Sequence, residues 1–266
     1  MEHEEFQRLI RQMGDELYRP MPWRDDTRPY YVLVSELMLQ QTQVARVVPK
    51  FEAFVAQFPD EAALASASLA DVLKSWQGLG YNRRAKYLHE AAKRIVDKFG
   101  GTFPLEYDDI LSLPGVGKNT AGAISAYAFN RPAIFIETNV RTVFIHHFFA
   151  GASDVDDKAI GLLLEATLDR RDPRAFYWGL MDYSSWLKST GVRNNASSKH
   201  YKKQAPLEGS LRQMRGRILK QLTVADMPEA DLRITVQADE RFQPALQGLL
   251  AEGLVSGDDE LLHLTK

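Results

Sequence analysis

Helical periodicity recurs through the first two hundred residues and limits the chain to a mainly α architecture. Leu69, Val72, Leu73 and Trp76 share one face at helical spacing, and Gly78 and Gly80 close that run. Ala85, Leu88, Ala91, Ala92 and Ile95 repeat the pattern before Gly100 and Gly101. Residues 157–168 and 176–187 read as two further amphipathic helices, and residues 121–129 carry the small side chains that suit close helix packing. Alternating strand patterns are scarce here, so an all-α body is predicted. With 266 residues, 45% of them hydrophobic and 26% charged, the chain can bury a sizeable core, and disordered or collagen-like classes are excluded. It contains no cysteine, which excludes disulfides, thiolate chemistry, Cys-held zinc and iron–sulfur clusters.

The texture changes after a polar, basic connection at residues 194–206. Leu211, Met214, Ile218 and Leu222 make one helical face, residues 232–236 are predicted as a short strand, and residues 242–254 as a helix ending near Gly253. Residues 254–264 place a Gly257-Asp258 turn between two short apolar runs, a hairpin signal. Helices followed by a hairpin outline a small winged-helix-like α+β module, so two domains are expected, 1–208 and 209–266. The formal net charge is only −2, but its distribution is uneven. Lys188, Arg193, Lys199, Lys202, Lys203, Arg212, Arg215, Arg217 and Lys220 are opposed only by Glu208, and the chain turns acidic after Leu222. Such a strip is what a phosphate-binding surface requires, although a solvated basic linker has the same composition. The N-terminus, MEHEEFQRLI, lacks the basic-then-apolar order of a signal peptide, and the apolar stretch at 133–150 is broken by Glu137 and Arg141. A soluble, cytoplasmic protein without a membrane partner is expected.

Two segments carry chemistry. Leu113-Pro114-Gly115-Val116-Gly117-Lys118-Asn119-Thr120-Ala121 joins a short predicted helix at 107–113 to one starting near Lys118. Gly115 and Gly117 permit a tight turn that points successive N–H groups outward at a helix start, and Lys118 adds a cation; this arrangement binds a phosphate. A plain helix–helix turn gives the same bare Gly-x-Gly, but Leu-Pro-Gly-Val-Gly is a helix-hairpin-helix signature for duplex DNA backbones. In the second segment, Glu36 interrupts the apolar run Tyr30-Tyr31-Val32-Leu33-Val34-Ser35-Glu36-Leu37-Met38-Leu39. Burial there would favour the neutral acid, which can donate a proton to a leaving group, whereas a solvent-facing helix position would leave it an ordinary carboxylate. Gln40, Gln41 and Gln43 are amides suited either to base edges or to an exposed surface. The adjacent His146 and His147 diverge on a helix and are not expected to ligate a metal.

The segments Pro22-Trp23-Arg24, SELMLQQTQV from Ser35, Trp76-Gln77-Gly78-Leu79-Gly80-Tyr81, LPGVGKNTAGA from Leu113 and Met181-Asp182-Tyr183 together resemble the MutY-type adenine DNA glycosylases. More broadly they resemble the helix-hairpin-helix glycosylase superfamily. The resemblance implies two helical subdomains and a catalytic set of Glu36 as general acid, Glu137 as the carboxylate opposite the developing sugar cation, and Asn139 as a neighbouring amide. It implies DNA contacts from Gln40, Gln41, Tyr81, Gly115, Gly117, Lys118 and Asn119, and a base pocket from Trp23, Arg24, Leu39 and Asp182. The target nucleotide must be flipped out of the duplex for the bond to be reached.

The sequence also departs from that pattern. Glu137 replaces the family's Asp and moves the carboxylate by about 1.5 Å. The four cluster cysteines that normally follow the Met-Asp segment are absent, so residues 187–206 read as a basic replacement loop and no iron–sulfur cluster, metal or other cofactor is expected. Asn119 stands where lyase-competent relatives carry a Schiff-base lysine, implying a glycosylase without lyase activity. The residues after 209 are fewer than the family's 8-oxoguanine-recognition domain. The function expected is hydrolysis of the N-glycosidic bond of a flipped adenine mispaired with 8-oxoguanine or guanine, by a monomer acting on double-stranded DNA. Excision of uracil, hypoxanthine or mismatched thymine, or catalytically silent binding to DNA structure, are the alternatives.

Overall fold

The computed structural model describes residues 1–201, 203, 205–257 and 260–266. Lys202 of the basic strip and Asp258 of the hairpin turn therefore lie outside the described residues. Among those described, the helices in chain order are α1 His3–Glu16, α2 Pro22–Asp25, α3 Pro29–Leu39, α4 Val44–Gln57, α5 Glu61–Ser66, α6 Leu69–Ser75, α7 Arg83–Phe99 and α8 Tyr107–Leu111. They continue with α9 Lys118–Tyr127, α10 Thr138–Phe148, α11 Asp157–Thr167, α12 Pro173–Ser189, α13 Leu211–Leu222, α14 Glu229–Thr235 and α15 Phe242–Ala251. The strands β1 Val255–Gly257 and β2 Leu262–Leu264 follow. No helix among the described residues is long and apolar enough to cross a membrane.

Two compact units are present: Met1–Glu36 with Pro104–Ser112 and Val116–Lys203, and Leu37–Phe103 with Leu113–Gly115 and Gln204–Lys266. In the first unit, α1 packs along α12. Phe6, Ile10 and Gly14 recur every four residues and form the packed stripe of α1; Phe6 and Ile10 are fully buried. The backbones meet at two glycines. A Cβ on Gly179 would lie 2.7 Å from the Ile10 carbonyl oxygen, and one on Gly14 3.2 Å from the Gly179 Cα. Asp172 starts α12 by accepting from the Ala175 N–H at 3.2 Å, with Pro173 in the first turn. The Phe6 ring sits 5.0 Å from both Phe144 and Phe148, and Phe135 stacks on Tyr177 at 4.0 Å. This aromatic core holds α10 and α12, the helices that carry Glu137, Asn139 and Asp182.

In the second unit, Phe51, Phe54 and Trp76 are fully buried, and Asp60 and Ser68 cap α5 and α6 by accepting from the Ala63 and Asp71 N–H groups. The C-terminal segment comprises α13, α14, α15 and an antiparallel hairpin in the register Val255 to Leu264, Ser256 to His263 and Gly257 to Leu262. It groups with α4–α7. Glu252 accepts from Arg83 and, at 2.5 Å, from Arg215, while its carbonyl accepts from Lys86 Nζ at 2.5 Å. Gln77 donates to Thr223 as well.

Residues 232–236, predicted as a strand, lie instead in and after α14. The apolar residues Leu232, Ile234 and Val236 alternate, but the structure buries Leu232 and Val236 at helical i, i+4 spacing and leaves Ile234 77% exposed. Pro228 at the start, with Glu229 and Asp231 in the first turn, favours the helix.

Candidate active site

In the first unit three titratable side chains, Glu36, Tyr127 and Glu137, act on one another. Helix α3 is apolar almost all round: Tyr30, Val32, Leu33 and Val34 are buried, and Ser35 returns its hydroxyl to the Val32 carbonyl at 2.9 Å. Glu36 is half-buried at the end of this run. Loss of hydration, followed by repulsion from the Glu137 carboxylate, pushes its pKa up to about 8. The pKa of the buried Tyr127 phenol of α9 is raised by burial and by the same two carboxyl groups, so it stays a neutral hydroxyl.

Glu137 is the N-cap of α10. Its Oε1 accepts from the Asn139 N–H at 2.9 Å and the Val140 N–H at 3.4 Å, and its Oε2 from Asn139 Nδ2 at 3.2 Å. Burial raises its pKa above that of an ordinary glutamate, and the Asn139 N–H, the Lys188 charge and the other two amide donors offset part of that rise. The extra methylene relative to Asp is thus accommodated by a capping geometry that directs both oxygens onto the helix start. Beside it, Asn139 Oδ1 accepts from Lys188 Nζ at 2.7 Å and from the Ser184 hydroxyl at 3.2 Å. The two carboxyl groups therefore differ: Glu137 accepts three hydrogen bonds, and Glu36 is set by burial and by Glu137 itself.

Trp23, Arg24 and Asp182 are buried in the same unit. Arg24 donates to both Asp182 oxygens, at 2.7 and 3.2 Å, and Arg19 Nε donates to Asp182 Oδ1 at 2.7 Å. Arg24 and Asp182 are brought together, but with each other, and the pair ties α2 to α12.

The remaining expected site residues fall elsewhere. Leu39, Gln40, Gln41 and Tyr81 belong to the second unit, where Gln41 (φ 56°) and Tyr81 (φ 47°) both adopt left-handed backbone. Strain of about 1–3 kcal/mol at such positions persists only where neighbours enforce it. The buried guanidinium of Arg84 does so: it donates to the carbonyls of Leu37, Met38 and Gln40 at 2.5, 2.9 and 2.7 Å, and to those of Leu79 and Gly80 at 3.2 and 3.1 Å. Tyr81 also lies 5.0 Å beneath the Arg212 guanidinium, which donates to its hydroxyl. In the hairpin, Gly115 has φ +76° and a Cβ there would meet Tyr87 at 2.7 Å, whereas Gly117 is exposed with open space about it. Lys118 is exposed on the first turn of α9. Asn119 pairs through its amide with the Ile136 peptide, donating at 2.8 Å and accepting at 3.4 Å, and so anchors the residue before Glu137.

Residues 34–166 match the model of the HhH-GPD superfamily base excision DNA repair proteins. The chain belongs to that superfamily. An adenine DNA glycosylase of Mycolicibacterium smegmatis is 33% identical over 265 residues, covering 91% of this chain and 89% of its own. One of Buchnera aphidicola is 37% identical over 155 residues, of which the match spans 58% of this chain and 43% of the relative. The structure of a thermostable thymine-DNA glycosylase superposes with a TM-score of 0.62 at 28% identity, over 69% of this chain and 86% of that one. The sequence contains no cysteine and so none of the thiolates by which an iron–sulfur cluster is held. Among the described residues, no group of His, Asp and Glu is arranged to hold a metal ion.

Two further residues, Arg84 and Lys188, make contacts that the sequence motifs do not announce. Arg84 follows the glycine-rich 78–80 turn, a place where a cation meets free carbonyls. Lys188 was visible only as the first charge of the basic strip. Its spacing from Met181 and Ser184 (i, i+3, i+7) is the signal: all three side chains reach Asn139 from one face of α12.

Proposed function

We propose that the chain is a monofunctional DNA glycosylase that removes a flipped adenine mispaired with 8-oxoguanine or guanine. The observation that carries this reading is the unlike pair of carboxyl groups: Glu36 keeps its proton near neutrality, and Glu137 is ringed by donors that favour its anion. Glu36 donates its proton to the leaving base as the C1′–N9 bond breaks, and the bonding electrons depart with the base. The Glu137 carboxylate faces the positive charge that develops on the deoxyribose. Water then adds to C1′ and surrenders a proton to the Glu36 carboxylate, leaving an abasic site and restoring the neutral acid. Asn119 supplies an amide already paired with Ile136, and an amide does not form an imine with the sugar. The mycobacterial and Buchnera relatives, both named adenine DNA glycosylases, support adenine as the base. Likeness to a thymine-DNA glycosylase favours mismatched thymine as the second reading.

Single-turnover excision on duplexes carrying A:8-oxoG, A:G, T:G, U:G and hypoxanthine separates these readings. Adenine release is expected, lost in Glu36→Gln while duplex affinity is kept. Preferential thymine release would transfer the function to the second reading, and tight binding with no base released would leave a DNA-structure reader.

A further inference from the structure

We propose that Lys188 is a positioning residue for base excision: it fixes the Asn139 amide so that Nδ2 faces Glu137, and its charge selects Glu137 as the ionised member of the carboxyl pair. This rests on the glycosylase reading above. A lysine ammonium only donates, so the 2.7 Å contact from Nζ requires an acceptor at Asn139 Oδ1. The Ser184 hydroxyl approaches the same oxygen at 3.2 Å. The amide is thereby oriented, and its Nδ2 is left facing Glu137 Oε2 at 3.2 Å. Without that clamp the amide can rotate and present its oxygen to the carboxylate, turning a donor into a repulsive acceptor.

The charges facing this centre come from every element packed on it. The Glu137 carboxylate raises the pKa of Glu36 of α3 and of Tyr127 of α9, so both are neutral groups near it. Arg141 of α10 also feels Glu137, but it is bound to Asp157 at 2.7 and 2.6 Å. Arg19, ahead of α2, is committed to Asp182 and acts on Lys188 as a like charge. Lys188 is thus the cation whose hydrogen bond leads to Glu137 through a single intervening amide. Burial and Arg19 lower its pKa while Glu137 raises it.

The test is single-turnover adenine excision at saturating enzyme across pH, with Lys188→Met and Lys188→Arg, both checked for folding by thermal melting. Lys188→Met is expected to slow excision by about tenfold or more at neutral pH, the factor that accompanies each tenfold loss of ionised Glu137. Its acidic limb should move to higher pH, its duplex affinity should hold, and Lys188→Arg should restore most of the rate. A Lys188→Met variant that loses duplex affinity alone, with saturating rate and pH profile unchanged, makes Lys188 a phosphate contact and overturns the proposal. A readout independent of catalysis is the carboxyl ¹³C titration of Glu137, assigned with Glu137→Gln. An upward move in Lys188→Met supports the proposal and an unmoved titration refutes it, whereas failure of the unaltered chain to release adenine refutes only the glycosylase reading.

Discussion

Glu36 and Glu137 are chemically the same acid in different surroundings. At Glu137, two backbone N–H groups, a side-chain amide and the partial charge of the helix start favour the anion against the burial that raises its pKa. Glu137→Gln keeps the capping oxygen and removes the charge. It is expected to cut the single-turnover rate by about 10²–10³-fold while leaving thermal stability nearly unchanged. Glu137→Asp should retain much of the rate, because the shorter carboxylate still caps α10. Equal rates for the unaltered chain and Glu137→Gln would remove this residue from the mechanism.

Helix α12 does most to assemble the site, since its one face meets α1 through Gly179 and another meets Asn139 through Met181, Ser184 and Lys188. Gly179→Ala forces a methyl group against the Ile10 carbonyl. A loss of about 1–3 kcal/mol is expected in chemical denaturation, whereas Gly117→Ala, which adds a methyl in open space at φ −90°, should change stability by less than about 0.5 kcal/mol. Equal behaviour of the two variants would mean that the α1–α12 crossing yields easily. At this scale most helices were legible in the sequence, because Leu69-Val72-Leu73-Trp76 and Ala85-Leu88-Ala92-Ile95 each fill one buried face. Residues 232–236 misled because three alternating apolar residues suit a strand and a helix equally until one of them, Ile234, is left in solvent. The site was legible only in part. Glu36 stood out as an acid in an apolar run, but its pairing with Glu137, the closure of Arg24 on Asp182 and the reach of Lys188 to Asn139 join residues 100 or more, about 160 and 49 positions apart. No local pattern encodes such meetings.

For the whole molecule, holding an acid above its ordinary pKa has a cost that depends on pH. The unfolded chain releases the Glu36 proton near 4.5 and the folded one near 8, so the native state binds more protons between those values. Its contribution to stability is therefore fully present below about pH 4.5 and is lost as pH rises toward 8. A fold that sustains such a group keeps its neutral acid ready at physiological pH, and the catalytic reading depends on this state. The most direct check is the carboxyl ¹³C titration of Glu36 in the intact chain, assigned by its disappearance in Glu36→Gln. A midpoint near pH 8 is expected; a midpoint near 4.5, the value of an ordinary solvated glutamate, would contradict the assignment of Glu36 as the proton donor.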